Sequence, residues 1–337
     1  MNLFGNQKIA IIGAGGWGTA VAKLLSENNH KVIIWTHESD VVEELNSNHT
    51  NSRYLPGIKL SPEIKATENP LSLKRCDLFV LAVPTQYIRP VFNRYQFPIK
   101  DNILVNLSKG IEKNSLMRVS QILFDVAGID GNQYIILTGP SHAEEVSRKT
   151  PTTIVAAADI IENARLIQDL FSNSYFRVYT SDDVIGCEIG GAVKNIIAIA
   201  AGIIDGLGIG DNTKAALITR GLAGMTRLGV ALGAKPNTFF GLSGIGDLIV
   251  TCNSKLSRNR YVGEQIGKGR LLKDILKEMN MVAEGVETTV SVNQLSEKHQ
   301  VELPITAQVY KILFEDVNPL KAIANLMTRE TKHEWWW

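Results

Sequence analysis

At 337 residues the chain exceeds the size at which a single hydrophobic core stops growing, so two domains are expected. Apolar residues make up 45% and charged residues 20%, while 35 Lys plus Arg nearly cancel 34 Asp plus Glu, for a formal net charge of +1. Such a balance offers no global field to nucleic acid or to an anionic membrane, so an anionic ligand has to be held by a local cluster.

In chain order, Lys8–Ile12 reads as a buried strand and about Trp17–Glu27 as a helix. Lys31–Trp35 follows as a strand, Asp40–Leu45 as a polar helix, then a Pro- and Asn-rich loop through Pro56. Further strands are expected at Asp77–Val83, Asn102–Leu107, Tyr134–Leu137 and Thr152–Ala157, with helices such as Leu116–Val126 between them. Continuous apolar runs alternating with helices predict a doubly wound, Rossmann-like α/β fold whose parallel sheet is covered on both faces. The pattern changes after Phe176–Tyr179. Helical stretches then follow at Gly190–Ile204, Lys214–Leu232, Asn259–Ile266, Leu271–Lys277, Thr288–Lys298 and Ile305–Phe314. The expected division is therefore a dinucleotide-binding domain over 1–180 and an all-helical domain over 181–337.

Cys76, Cys187 and Cys252 are too few and too scattered for a disulfide framework or a CxxC site, and they suit a reducing cytosol. The six histidines show no HxxxH-type pairing, so no metal is expected. The first residues lack a signal-like pattern, and the longest apolar-looking segment, Asn195–Ile204, is short of the ~20 residues of a membrane span, so a soluble cytoplasmic protein is expected. Trp335–Trp337 forms an aromatic tail on which no function is built.

Gly13-Ala14-Gly15-Gly16-Trp17-Gly18 fits G-x-G-x-x-G between an apolar strand and a helix. Gly13 allows the tight turn, Gly15 lets backbone approach a pyrophosphate, and Gly18 lets helix pack on strand. The free N–H groups of the helix start then face the phosphates. An Asp or Glu at the end of the second strand would mark NAD, but Thr36 stands there, with His37 next and Glu38 two residues late. His37 and Ser39 can accept a 2′-phosphate, whereas Glu38 repels one if it points inward. NADP(H) is therefore read as usable and NAD(H) is not excluded.

Gly190-Gly191-Ala192-Val193-Lys194-Asn195 carries a lysine in an apolar helix, on a face shared with Gly190, Gly191, Ile197, Ala198 and Ala201. Small neighbours let that backbone lie close to another large object. A partly buried lysine has its neutral form favoured, which moves it towards the range useful for proton transfer. The alternatives are a snorkelling lysine or a structural ion pair.

Five segments occur in a telling order: Asn106–Gly110 (NLSKG), Gly139–Glu145 (GPSHAEE), Gly190–Asn195, Gly241–Leu248 (GLSGIGDL) and Ser257–Arg260 (SRNR). Together with the glycine loop and Val282–Gly285 they resemble the bacterial-type NAD(P)-dependent glycerol-3-phosphate dehydrogenases over almost the whole chain. The resemblance implies reduction of dihydroxyacetone phosphate to sn-glycerol 3-phosphate, at the start of phospholipid synthesis, by a homodimer. It implies Lys194 as the catalytic proton donor and acceptor. It implies substrate contacts at Lys109, Gly139, Ser141, Lys194, Asp247, Ser257, Arg258 and Asn259, with Asn195 and Thr251 in the polar network around them. Gly16, Trp17, His37, Tyr54, Lys109, Ala143, Arg258, Val282 and Glu284 match cofactor positions. Gly16 stands where many members carry Ser, and His142 departs from the residue often found in its loop.

These roles agree with the chemistry of the residues themselves. Lys109 follows a strand and sits at the carboxyl end of the sheet, where such folds bind ligands, and a second cation there depresses Lys194 further. Asp247 either orients a lysine or binds a substrate hydroxyl. Arg258 offers a planar fork to phosphate beside Ser257 and Asn259 at a helix start, although alone that segment reads as a capped, solvated helix. Gly241, Gly244 and Gly246 around Asp247 suggest close approach to a ligand, and Glu284 is also readable as a helix cap.

Overall fold

The computed structural model describes residues 6–279 and 281–334. Its first part alternates strand and helix through β1 (Lys8–Ile12), α1 (Gly16–Glu27), β2 (Lys31–Trp35), α2 (Ser39–Ser47), β3 (Lys65–Thr67) and β4 (Leu78–Leu81). It continues with α3 (Thr85–Arg94), β5 (Ile103–Asn106), α4 (Val119–Ala127), β6 (Tyr134–Thr138), α5 (Ala143–Ser147), β7 (Thr152–Ala158), α6 (Ile161–Phe171) and β8 (Phe176–Ser181). The strands form one eight-stranded sheet in the order β3-β2-β1-β4-β5-β6-β7-β8. Side chains alternate across β1: Ile9 and Ile11 pack with Leu24 and Leu25 of α1, while Ala10 and Ile12 pack on the other face with Ile88 of α3 and Ile122 of α4. Both faces are thus buried, which is why the strands read as continuous apolar runs.

One pairing departs from the all-parallel expectation: β7 runs antiparallel to β6. The link between them holds only the five-residue α5, too little to carry the chain across a sheet face and back. Three further differences have local causes. β3 is only three residues long and reads KAT, without an apolar run. α3 holds Pro90 in its interior, which breaks the helical pattern on the page. α4 starts at Val119 rather than Leu116, because Asn114 and Leu116 both have positive φ and Arg118 provides the N-cap.

After Ser181 the described chain is helical: α7 (Val184–Leu207), α8 (Asp211–Ala231), α9 (Asp247–Asn253), α10 (Arg258–Gly267), α11 (Leu272–Glu278), α12 (Glu284–Lys298), α13 (Pro304–Phe314) and α14 (Pro319–Met327). α7 begins six residues before the expected Gly190, because the Asp183 side chain accepts from the Gly186 amide at 2.9 Å and caps it. It ends at Gly208, whose φ of +67° closes the helix in the left-handed conformation. By length and composition this 24-residue helix passes as a membrane span, contrary to the shorter Asn195–Ile204 estimate, but 94% of its apolar window is buried inside the protein. Each Ile or Val so buried contributes about 1.5–3 kcal/mol, so the helical region folds around α7 as its core. Trp335–Trp337 lies outside the described residues.

The glycines of α7 have a specific packing partner. A Cβ on Gly202 would lie 1.9 Å from the Arg260 carbonyl, and one on Gly263 of α10 would lie 1.9 Å from the Ile199 carbonyl. Gly206 and Gly267 repeat the contact one turn on. Gly202 and Gly206 lie outside the small-residue stripe read from the sequence; Gly190 and Gly191 of that stripe approach the Ser243 carbonyl and the stem of Lys109 instead. The crossing of α7 with α10 sets Asn259, at the start of α10, against Asn195, the neighbour of Lys194 in the chain.

Candidate active site

A cleft of about 640 Å³ runs from the glycine loop and the end of β2 to the lysine face of α7. Gly13, Ala14, Gly15, Gly16 and Trp17 form its floor at one end, where the Gly13 amide donates to the Trp35 carbonyl at 2.9 Å and ties the loop to β2. A Cβ on Gly13 would lie 2.7 Å from the Ala82 carbonyl, and φ there is +111°, so only glycine fits. A Cβ on Gly16 would lie 2.7 Å from the Tyr54 carbonyl, so any side chain there requires the backbone to shift. Gly18 does not line the cleft; it is pressed on the Gly13 carbonyl and holds helix to strand. Gly15 is the exception: a Cβ there would meet nothing within 4 Å.

This arrangement fits a dinucleotide. α1 has no side-chain N-cap, so its first amides remain to be satisfied, and open space lies above Gly15 in front of them. The residues that would hold the pyrophosphate are Gly15, Gly16 and Trp17. Thr36, His37, Glu38 and Tyr54 close the cleft beyond them, while Pro90, Val91, Arg94 and Tyr95 supply a wall on α3.

At the other end two lysines converge on one buried carboxylate. Lys194 Nζ donates to Asp247 Oδ1 at 2.5 Å and to Thr251 Oγ1 at 2.9 Å. Lys109 Nζ donates to Asp247 Oδ2 at 2.7 Å and to the Gly139 carbonyl at 3.0 Å. Asp247 is 1% exposed and Lys194 6% exposed. Burial pulls Lys194 down, Asp247 pulls it up and Lys109 pushes it down, leaving it at about 8. Burial pushes Asp247 upward, yet Lys109 and Lys194 outweigh it and hold the carboxyl below its ordinary range. Asp247 accepts from both lysines, as the lysine-orienting alternative requires.

The local backbone explains why Asp247 arrives there. Leu242–Gly246 makes one π-helical turn that feeds α9, and a Cβ on Gly244 would lie 2.1 Å from the Phe239 carbonyl. The close approach at this glycine is to Phe239 rather than to the cleft. Gly190 packs on the Ser243 carbonyl and Gly191 on the stem of Lys109, so both small residues seat the parts of this cluster.

A second chain of amides surrounds the lysines. Asn259 Nδ2 donates to Asn195 Oδ1 at 2.9 Å, and Asn259 Oδ1 accepts from the Gly285 amide at 2.9 Å. Ser257 caps α10 by accepting from the Arg260 amide at 3.2 Å, so the capped-helix reading holds for its hydroxyl while the residue still lines the cleft. Arg258 is exposed, with Nη1 donating to the Val282 carbonyl at 2.8 Å. Ser141 and Ala143 line the cleft; Gly139 does not, and its carbonyl serves Lys109.

Glu284 opens α12 rather than merely ending a loop, and its Oε1 accepts from the Thr85 amide at 2.9 Å. Burial pushes it up to about 7 against the pull of the Thr85 amide, the Thr85 hydroxyl and Arg258. Sequence reasoning missed Thr85, Arg53 and the α3 wall. His142, noted only as a departure, lines the cleft with an unpartnered Nε2, and burial and then Lys194 keep its ring below the ordinary histidine range. No group of His, Cys, Asp and Glu suited to a metal occurs among the described residues.

The sequence model for the NAD-dependent glycerol-3-phosphate dehydrogenase N-terminus matches residues 8–164, and that for the C-terminus matches residues 183–324. A glycerol-3-phosphate dehydrogenase (NAD(P)+) of Chlorobium phaeobacteroides is 50% identical over 331 residues, covering 97% of this chain and 99% of that enzyme. The enzyme of that name from Bacillus subtilis is 48% identical over 331 residues, covering 97% of this chain and 96% of the relative. Among solved structures, the glycerol-3-phosphate dehydrogenase of Coxiella burnetii superimposes with a TM-score of 0.90 at 37% identity, over 96% of this chain and 99% of that one.

Proposed function

Because this chain belongs to the NAD-dependent glycerol-3-phosphate dehydrogenase family, we propose that its cleft reduces dihydroxyacetone phosphate to sn-glycerol 3-phosphate with NAD(P)H, feeding phospholipid synthesis. The observation that carries this reading is the pair of lysines meeting on Asp247 at one end of a dinucleotide-shaped cleft. A nicotinamide dinucleotide bound along the glycine loop supplies the hydride.

The residues of the chain do the rest. Lys194, as ammonium, gives a proton from Nζ to the oxygen that gains charge as the carbonyl carbon is reduced, and it takes that proton back in the reverse direction. Asp247 fixes the direction of both ammonium groups, and Thr251 limits the rotation of Lys194. Lys109 adds positive charge where the oxygen turns anionic, and its charge keeps Lys194 from binding its proton too tightly. Arg258 and the start of α10 take the phosphate end of the substrate, the guanidinium as a fork and the helix start as a source of amides.

We read the protein as a cytoplasmic homodimer. The compartment is supported by Cys76, Cys187 and Cys252, all buried and unpaired, and the dimer by the family resemblance. The test of the reaction is loss of reduced-nicotinamide absorbance when the purified protein meets dihydroxyacetone phosphate with NADH and NADPH in parallel. Rapid oxidation with at least one cofactor is expected; none with either, in a protein that binds the cofactor, removes the substrate assignment.

A further inference from the structure

β2 and the glycine loop leave the sheet side by side, so the residues just after β2 face the adenosine ribose of any dinucleotide lying over Gly15. Thr36, directly after the strand, is buried and turns its hydroxyl to Glu38, 3.4 Å from Oε2. Glu38 comes two residues later than the usual ribose carboxylate, but the bend after Thr36 brings it into the wall of the cleft.

The two oxygens of Glu38 are unequally engaged. Oε1 accepts from Tyr54 Oη at 2.7 Å and from Arg53 Nη1 at 2.8 Å, while Oε2 has only the long Thr36 contact. Oε2 therefore keeps acceptor capacity for a ribose hydroxyl. Arg53, which pairs with Glu38 through Nη1, is engaged at its other end too: Nη2 donates to Asp40 Oδ2 at 2.5 Å. The Ser39 hydroxyl donates to Glu68 Oε2 at 3.1 Å, so it too has a partner other than a phosphate. Arg94, across the cleft, lies 5.3 Å from the centre of the Tyr95 ring. Of the three carboxylates Glu38, Asp40 and Glu68, Glu38 is the one that lines the cleft.

Resting on the reading of this cleft as a nicotinamide dinucleotide site, we infer that Glu38, fixed by Arg53 and Tyr54, makes the enzyme select NAD(H) over NADP(H). A ribose 2′-OH donates to Glu38 Oε2. A 2′-phosphate brings a dianion against the same oxygen, while the charge of Arg53 is already shared between Glu38 and Asp40. Like charges set side by side at such a contact are enough for at least about tenfold discrimination.

The test is a comparison of dissociation constants for NADH and NADPH, read by quenching of tryptophan fluorescence in the intact protein without substrate, for wild type, Glu38→Gln, Glu38→Ala, Arg53→Ala and Arg94→Ala. Wild type should bind NADH at least about tenfold more tightly. Both Glu38 variants should shrink that ratio, chiefly by tightening NADPH, and Arg53→Ala should keep or widen it. Thermal unfolding of each variant separates a changed site from a changed fold. NADPH binding as tightly as NADH in wild type, with the affinity lost in Arg53→Ala or Arg94→Ala, overturns the inference in favour of an arginine grip on the 2′-phosphate. A ratio unmoved in both Glu38 variants also overturns it. Binding of neither dinucleotide removes the cleft reading itself, and the selectivity falls with it.

Discussion

The two ends of the cleft use one device in two environments. At the inner end a carboxylate, Asp247, is held by two lysines and stands next to a hydroxyl; at the outer end a carboxylate, Glu38, is held by an arginine and a phenol. The side chain of Asp247 is 2% exposed, whereas those of Glu38 and Arg53 are 21% and 44% exposed. Burial turns the first cluster into a coupled unit in which each charge depends on the others, because an unpaired ion there has no water to fall back on. The second cluster, open to water, sets the direction of a side chain and the sign of a local field but contributes little to folding. The proposed division of labour, proton chemistry at one end and ligand choice at the other, rests on that difference in burial.

The largest effect expected from this difference is at Asp247. Asp247→Asn leaves two cations facing each other without a counter-charge, so unfolding should come about 3–5 kcal/mol earlier, measured by denaturant titration. Adding Lys109→Met to that variant should restore part of the loss, because the repulsion it removes is shared between the two positions. No recovery in the double variant would mean that the three charges do not act as a unit.

Next in size is Lys194. Lys194→Ala should lower turnover by roughly 10² to 10⁴ while leaving dinucleotide binding nearly intact. The pH profile gives the sign. With Lys194 at about 8, the ammonium needed for ketone reduction is lost as pH rises through 8, so reduction should fall above that point. Alcohol oxidation needs the neutral amine and should rise over the same interval. A reduction limb that stays flat to pH 9 would detach the proton from Lys194.

Much of this was legible in the sequence, and the parts that were not share a cause. The glycine loop could be read because strand, turn and helix start lie within one short segment, each with its own local signal. Lys194 could be read because a charge in an apolar helix has few bland explanations. Its pairing with Asp247 spans 53 positions, and no local pattern carries a contact of that range. Gly190 and Gly191 of α7 were visible as a place of close approach, but the sequence alone does not say what approaches; the answer is the Ser243 carbonyl and the stem of Lys109, while the tighter crossing with α10 at Gly202 and Gly206 went unread. The α3 wall was hidden by Pro90, and Arg53 by the ordinariness of an exposed arginine in a loop. Local structure was readable, and long-range convergence was not.

The smallest effect sharpens the comparison most. Arg53 makes two short carboxylate contacts, with Glu38 and with Asp40, as many as Asp247 makes with its lysines. Contact counting alone would rank the two residues equally. Water changes that ranking: freed Glu38 and Asp40 are rehydrated where they stand, and the long side chain of Arg53 regains its rotamers. Arg53→Ala should therefore leave the thermal midpoint unchanged within error, even as it frees Glu38 to move, whereas Asp247→Asn shifts it by many degrees. A midpoint drop of similar size in both would mean that geometry rather than burial decides what these carboxylates contribute, and the division of labour between the two ends would lose its physical basis.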